Sequence, residues 1–210
     1  MKEGLGQNAL LQWFSGSLLF FFLIFGAASQ ASAAKGDGSV ELMLGFGFGP
    51  DDPDFEVGNT FGPGIGLAYE VVDSIQLRTD ISYFKWDDST TVCPPFNPCS
   101  DRSLKLTNMP IFVGGRFLAP LTSHIQLFAE LGLSFNFLKA KESDALTGGT
   151  ISESEMKLGL VPGLGIEFRL SPQIGLGANV RYDLITKGVG DFKEMGTSFL
   201  SASLLAAYHF

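Results

Sequence analysis

Histidine, cysteine and long hydrophobic runs are all scarce in this 210-residue chain. There are two histidines, His124 and His209, and neither has a nearby serine motif, so no acid–base constellation for catalysis is indicated. After residue 30, no apolar run approaches the roughly 20 residues that a membrane-spanning helix needs. The net charge is −8 at pH 7, which argues against nucleic-acid binding because that function requires a basic face.

One compact apolar run, Leu18–Phe25, lies near the amino terminus and is followed by the small residues of segment 31–33. Small residues at these positions suit a signal peptidase, so residues 1–33 are predicted to be a secretory signal cleaved after about Ala33. A membrane anchor is the alternative, but a Ser-Gly-Ser sequence at 15–17 interrupts the apolar stretch. Residues 34–210 then form the mature protein, which has the length of one domain.

Apolar residues alternate with small or polar residues over long stretches of the chain. In segment 125–137, every second residue from Ile125 to Phe137 is apolar, while Gln126, Glu130 and Asn136 share the other face. A helix cannot use this period, because its faces repeat every 3.6 residues. Strands in soluble domains usually have about 5–6 residues, whereas tilted membrane strands need about 9–11, which these stretches supply.

The alternation predicts eight strands, at about 39–49, 60–72, 75–87, 103–118, 123–139, 154–170, 173–186 and 197–210. Their connections alternate between short turns, at 72–74, 119–122 and 171–172, and long loops, at 50–59, 88–102, 140–153 and 187–196. Short turns at one end and long loops at the other are typical of membrane β-barrels. The rival fold is a soluble ligand-carrying barrel, which would place the large apolar residues inside and the charged residues outside.

The last strand and the overall pattern carry a family resemblance. In segment 196–210, every second residue counted back from Phe210 is apolar, beginning with Tyr208. This ending resembles the closing strand of bacterial outer-membrane barrels, which the barrel-assembly machinery reads. Residues 39–210 as a whole resemble the small eight-stranded barrels of the OmpA/OmpX type.

The resemblance implies an all-β, antiparallel, up-and-down transmembrane barrel in the bacterial outer membrane. It also implies a monomer whose four long loops face outward, with Tyr208 and Phe210 as the assembly signal. Members of the family are structural proteins, adhesins, host-factor binders and, occasionally, lipid-modifying enzymes. The resemblance therefore implies a fold and a location but no activity.

Eleven charged residues of the strands are predicted to lie on the inward face of such a barrel. They are Glu41, Glu70, Arg78, Asp80, Arg116, Glu130, Lys157, Glu167, Arg169, Arg181 and Asp183. Eight strands enclose a bore that side chains can fill, and buried charges must be paired, so we expect a salt-bridge network that plugs the lumen. The alternative is an ion path along the same charges, because inward glycines such as Gly62, Gly159 and Gly175 leave parts of the lumen without side-chain volume.

The outward face is expected to carry aromatic residues near the strand ends, as membrane barrels do. These are Phe46, Phe48, Tyr69, Tyr83, Phe137, Tyr182, Tyr208 and Phe210.

The long loops contain two candidate sites. Cys93 and Cys99 are predicted to form a structural disulfide in an oxidising compartment, with a redox pair or a metal site as less favoured alternatives. The acidic segment 51–56 could hold Ca²⁺, although a solvated charge run is more common. No metal or cofactor is otherwise implied.

Taken together, the sequence predicts a non-enzymatic barrel with a structural or surface-interaction role. Expected partners are outer-membrane lipid and lipopolysaccharide, the barrel-assembly machinery, and an extracellular ligand at the four loops. A narrow pore for ions or small solutes is the first alternative. A lipid-acting barrel enzyme that uses His124 or His209 is the second.

Overall fold

A computed structural model describes residues 38–49, 51–52, 55–56, 58–92, 100–144, 149–185 and 198–210. The predicted signal peptide and the Cys93–Cys99 pair lie outside these residues, so both stay predictions. The side chains of the acidic segment 51–56 also lie outside the described part. Among the described residues there is no helix long and apolar enough to cross a membrane.

Eight strands form one antiparallel sheet. We number them β1 (Gly38–Phe48), β2 (Thr60–Val72), β3 (Ile75–Ser82, continuing as Phe84–Val92), β4 (Ser100–Pro120), β5 (Ile125–Asp144), β6 (Thr150–Arg169), β7 (Ile174–Ile185) and β8 (Phe199–His209). Each strand pairs with the next along the chain, and β1 also pairs with β8. The predicted eight-stranded up-and-down barrel is therefore confirmed.

Backbone hydrogen bonds between the two ends of the described chain close the barrel. The amide of Gly38 donates to the carbonyl of Phe210 at 3.0 Å, and the amide of Phe210 donates back to the carbonyl of Gly38 at 2.9 Å. The short turns after β2, β4 and β6 lie at this same end, which we call the turn end. The opposite end, where β1, β3, β5 and β7 finish, is called the loop end.

Two of the predicted long loops are shorter than expected. Strand pairing continues from β3 to β4 as far as Val92 opposite Ser100, within the predicted loop 88–102. It also continues from β5 to β6 as far as Ser143 opposite Thr150, within the predicted loop 140–153. The sequence missed these extensions because the outward positions there are polar, so the apolar alternation stops although the backbone ladder does not.

The third strand breaks at Tyr83, and a proline on the neighbouring strand explains the break. The β3–β4 pairing stops at Ile81 opposite Ile111 and resumes at Phe84 opposite Asn108. Pro110 lies in this gap. Because proline has no amide hydrogen, it could not donate a hydrogen bond to β3 at this position. The Tyr83 amide donates instead to the Pro63 carbonyl on β2, at 3.0 Å.

The two faces of the barrel wall have opposite character. Large apolar side chains point outward and are exposed, with Leu164 at 68% and Leu204 at 65%. Charged side chains point inward and are buried, with Arg78 at 0% and Glu41 at 1%. This inversion is that of a barrel surrounded by lipid, and it rules out the soluble ligand-carrying barrel.

The filled interior as candidate functional site

A buried ion-pair network occupies the middle of the barrel. We call it the central network, and its members are Glu41, Asp80 and Glu130 with Arg78, Arg116 and Arg181. They come from β1, β3, β4, β5 and β7, so side chains from five strands meet across the lumen. Arg116, for example, joins Glu41 at 2.5 Å and Glu130 at 2.8 Å.

The contacts form two four-membered rings that share one ion pair. In the first ring, Arg78 and Arg116 both bind Glu41 and Glu130. In the second ring, Arg78 and Arg181 both bind Asp80 and Glu130; Arg181 lies 2.9 Å from Asp80 and 2.8 Å from Glu130. The Arg78–Glu130 pair belongs to both rings. Three carboxylates therefore balance three guanidinium groups, which removes the penalty of an uncompensated buried charge.

Aromatic rings cover the network where it has no carboxylate partner. The guanidinium of Arg116 lies 4.3 Å from the ring centroid of Phe128, and that of Arg181 lies 4.6 Å from the ring centroid of Phe112. Such cation–π contacts hold an arginine without requiring water. The network is therefore packed as well as charge-balanced.

The other five predicted lumen charges lie apart from the central network. At the turn end, Glu167 contacts Nε2 of His209 at 2.9 Å and Nε of Arg169 at 3.7 Å. On β6, towards the loop end, Lys157 pairs with Glu155 at 2.8 Å. The described residues give Glu70 no ion pair.

Asp183, the last of these five residues, is held by neutral groups. It accepts hydrogen bonds from Ser134 at 2.7 Å and from Asn136 at 3.4 Å, and no ion pair to it is present in the described part of the chain. Asn136 in turn accepts a hydrogen bond from Asn108 at 2.9 Å. Neutral side chains of β4 and β5 thus form a polar layer with Asp183 of β7.

The inward glycines do not leave empty space, which corrects the expectation on which the pore alternative rested. A β-carbon added at Gly62 would lie 2.7 Å from the ring of Phe84, and one at Gly165 would collide with the ring of Phe128. At Gly159 it would collide with a carboxylate oxygen of Asp183. Each of these three glycines therefore lies where a side chain from another strand fits against the backbone.

A second filling layer was missed by the sequence reasoning. Eight buried side chains form an apolar cluster at the loop end: Phe84, Trp86, Leu104, Leu106, Leu138, Ala140, Ile185 and Phe199. The rings of Phe84 and Trp86 stack at 5.8 Å, and Phe199 meets each of them edge-on at 5.5 Å. Carrying the inward phase of β3 through its break would have placed Phe84 and Trp86 inside, and that was the available signal.

The two histidines lie in different surroundings. His124 is exposed in the turn before β5, and the ring of His209 is buried inside the barrel against Glu167. In the described ranges, no group of three or more histidine, cysteine or acidic side chains is placed to hold a metal ion. Tyr208 and Phe210 are exposed on the outer wall at the end of β8, and their assembly role stays a prediction.

Comparison with known proteins identifies the family of this chain. A family model described as the outer membrane protein beta-barrel domain matches residues 17–210. The chain belongs to that family. It is an integral β-barrel of the bacterial outer membrane, and in such barrels the short turns face the periplasm and the longer loops face outward.

Solved structures show the same fold at low identity. A major outer membrane protein from Thermus thermophilus has a TM-score of 0.63 at 17% identity, covering 84% of this chain and 100% of that one. Ail of Yersinia pestis, in complex with the heparin analogue sucrose octasulfate, has a TM-score of 0.52 at 18% identity with the same coverage. OprG of Pseudomonas aeruginosa scores 0.50 at 12% identity, covering 83% of this chain and 96% of that one. Among curated proteins, none matches the chain in sequence.

Proposed function

We propose that this outer-membrane barrel is a non-conducting, monomeric structural protein that presents its loop end at the cell surface. Its interior would serve as a brace that keeps the wall rigid and closed, with no catalytic role for His124 or His209. Function would then reside in the outward loops and in the wall that carries them.

One observation carries this proposal: two different layers fill the lumen, one above the other. At mid-height, seven ion-pair contacts cross the bore through the central network. At the loop end, the apolar cluster crosses it again with three stacked or edge-on aromatic rings. An ion would have to break the first layer and be desolvated in the second, and either step is costly.

The surface part of the proposal concerns segments 50–59, 88–102, 140–153 and 187–196. The extended β3–β4 and β5–β6 ladders support a role in contact, because they give two of these segments a rigid base rather than a free loop. The Yersinia Ail complex makes a sulfated glycan a suitable first ligand to test on this protein.

Planar-bilayer recording of the purified, folded protein tests whether the barrel conducts. We expect the wild type to be silent, and heat-dependent gel mobility establishes that the protein is folded. Phe84→Ala/Trp86→Ala removes aromatic filling from the apolar cluster, while Asp80→Ala/Arg181→Ala removes one ring of the central network without changing its net charge. Each double variant should stay silent, and the combined variant should conduct.

Because the two layers are changed separately, the recordings show which of them blocks ions. Reproducible wild-type conductance would contradict the proposal and restore the pore alternative. Conductance in the Phe84→Ala/Trp86→Ala variant alone would mean that the central network does not block ions.

A further inference from the structure

Four lysines form a compact patch on the outer wall at the loop end. Lys85 on β3, Lys105 on β4, and Lys139 and Lys141 on β5 all point outward, since the residues on either side of each turn inward. No other lysine among the described residues is exposed. We call these four residues the lysine patch.

The strand register arranges the patch in two rows. In the lower row, Lys85 and Lys139 lie on either side of Thr107, and Ser154 follows Lys139 on β6. In the upper row, Lys105 lies between Asp87 on β3 and Lys141 on β5. Ser152 is next to Lys141 on β6. Neighbouring strands lie about 5 Å apart and the two rows about 7 Å apart, so the four ammonium groups can converge on one polyanionic ligand.

The patch begins where the lipid-facing surface ends. One outward step below the lower row, Met109, Phe137 and Met156 lie side by side on β4, β5 and β6. Tyr83 occupies the corresponding outward position on β3 and is 45% exposed. Aromatic and apolar residues of this kind mark the membrane–water interface of a barrel. The lysines therefore lie at the height of the lipid headgroups.

Among the described side chains, the patch holds four lysines and one acid, Asp87, and so carries a net positive charge. Asp87 pairs with Lys85 at 2.7 Å and lies directly opposite Lys105. No described carboxylate lies within ion-pair distance of Lys105, Lys139 or Lys141. Like charges directly opposite each other on neighbouring strands are destabilising, as Lys105 and Lys141 are here. A bound anion shared between them would relieve that repulsion, and the hydroxyl groups of Thr107, Ser152 and Ser154 supply further donors around it.

We propose that the lysine patch binds the phosphate groups of a phosphorylated glycolipid of the outer leaflet, lipopolysaccharide. The acyl chains would lie against the apolar wall of β3–β6 below Tyr83, and the phosphates would meet the two lysine rows. The site is specific to one side of the barrel, because the described parts of β1, β2, β7 and β8 carry no outward lysine or arginine. It is independent of whether the lumen conducts.

Binding is tested with the folded full-length barrel in vesicles of zwitterionic lipid doped with bis-phosphorylated lipid A. The triple variant Lys105→Gln/Lys139→Gln/Lys141→Gln removes three charges from the patch. A basic residue at a membrane surface strengthens binding about fivefold, so retention of lipid A by the triple variant should fall by at least tenfold. Lys105→Arg/Lys139→Arg/Lys141→Arg keeps the charges and should retain the lipid. Lys157→Gln removes an inward lysine and should leave retention unchanged.

Heat-dependent gel mobility must first show that each variant folds. If the triple variant does not fold, Lys105→Gln/Lys141→Gln, which removes only the two lysines that face each other, replaces it. Lipid A lacking its phosphates should bind no better to the wild type than to the triple variant. Equal retention of phosphorylated lipid A by the wild type and the folded glutamine variant would overturn the proposal. So would displacement of the lipid by soluble sucrose octasulfate at equal concentration, because the patch would then be a site for a soluble polyanion.

Discussion

The middle and the loop end of the barrel interior are both filled, but by opposite chemistry. At mid-height, three acids and three arginines satisfy one another, and each charge is held by at least two partners. At the loop end, eight apolar side chains pack against one another. The first layer is strong only while it is complete, whereas the second loses stability in proportion to the volume removed.

This difference follows from the surroundings of the wall at each height. The wall at mid-height is surrounded by lipid, so the inward face is the only place where polar side chains of the strands can lie. Above Tyr83 the outward face carries lysines and serines, and the inward face can be apolar as in a soluble domain. The barrel therefore changes, along the same four strands, from the inverted pattern of a membrane protein to the polar exterior and apolar interior of a soluble one.

The largest effect is expected from removing the acid that both rings share. Glu130→Ala leaves Arg78, Arg116 and Arg181 with two carboxylates between them, so the buried site acquires a net positive charge. Loss of one member of a buried pair costs about 3–5 kcal/mol of unfolding free energy, and we expect this range. Urea unfolding of the protein in phospholipid vesicles measures it.

An exposed ion pair on the same barrel provides the control for that measurement. Lys85 and Asp87 are about half exposed, and their replacement by alanine together should leave the unfolding midpoint nearly unchanged. If Glu130→Ala behaved like this control, the central network would contribute no more than a surface pair, and the contrast between the two layers would fail.

A smaller and more local effect is expected in the apolar cluster. Trp86 is 2% exposed, and Trp86→Ala should destabilise the protein by about 3 kcal/mol through lost burial and the cavity that remains. Trp86→Phe keeps an aromatic ring and should cost less than half of that. Hydrogen exchange distinguishes the layers: Trp86→Ala should speed exchange in 84–92 and 100–108, whereas Glu130→Ala should speed it along the whole barrel. Uniform exchange in both variants would mean that the layers unfold as one unit.

The sequence predicted the barrel far better than it predicted the second layer, and particular residues show why. From Ile125 to Phe137 the lipid-facing side chains are apolar at every second position, which reveals the strand and its phase. Beyond Phe137, lysines replace them, and hydropathy no longer reveals the same strand. The inward phase of Trp86 continues that of Arg78 and Asp80, but beyond Tyr83 the large apolar residues lie inside the barrel, so the alternation no longer marks a lipid-facing side.

The charged residues of the lumen were also easier to find than their partners. Inward position follows from strand phase, so all six members of the central network could be named from the sequence. Which of them meet depends on the stagger between strands: Arg116 reaches Glu41 although 75 residues separate them. Asp183 was named with the same group, but the stagger brings it to Ser134 and Asn136 instead.

The smallest effect tests whether the polar layer around Asp183 fits closely against the glycine backbone of β6. A β-carbon at Gly159 would collide with the carboxylate of Asp183 and with the hydroxyl of Ser134, so Gly159→Ala should cost about 1–3 kcal/mol by overpacking. Gly115 is the matched control, because a β-carbon there would lie 3.9 Å from the ring of Phe117 and meet nothing closer. Gly115→Ala should therefore leave stability nearly unchanged in the same urea titration. If the two alanine variants were equally stable, the polar layer around Asp183 would have space for an added methyl group. An ion path through that level of the lumen would then again be an alternative.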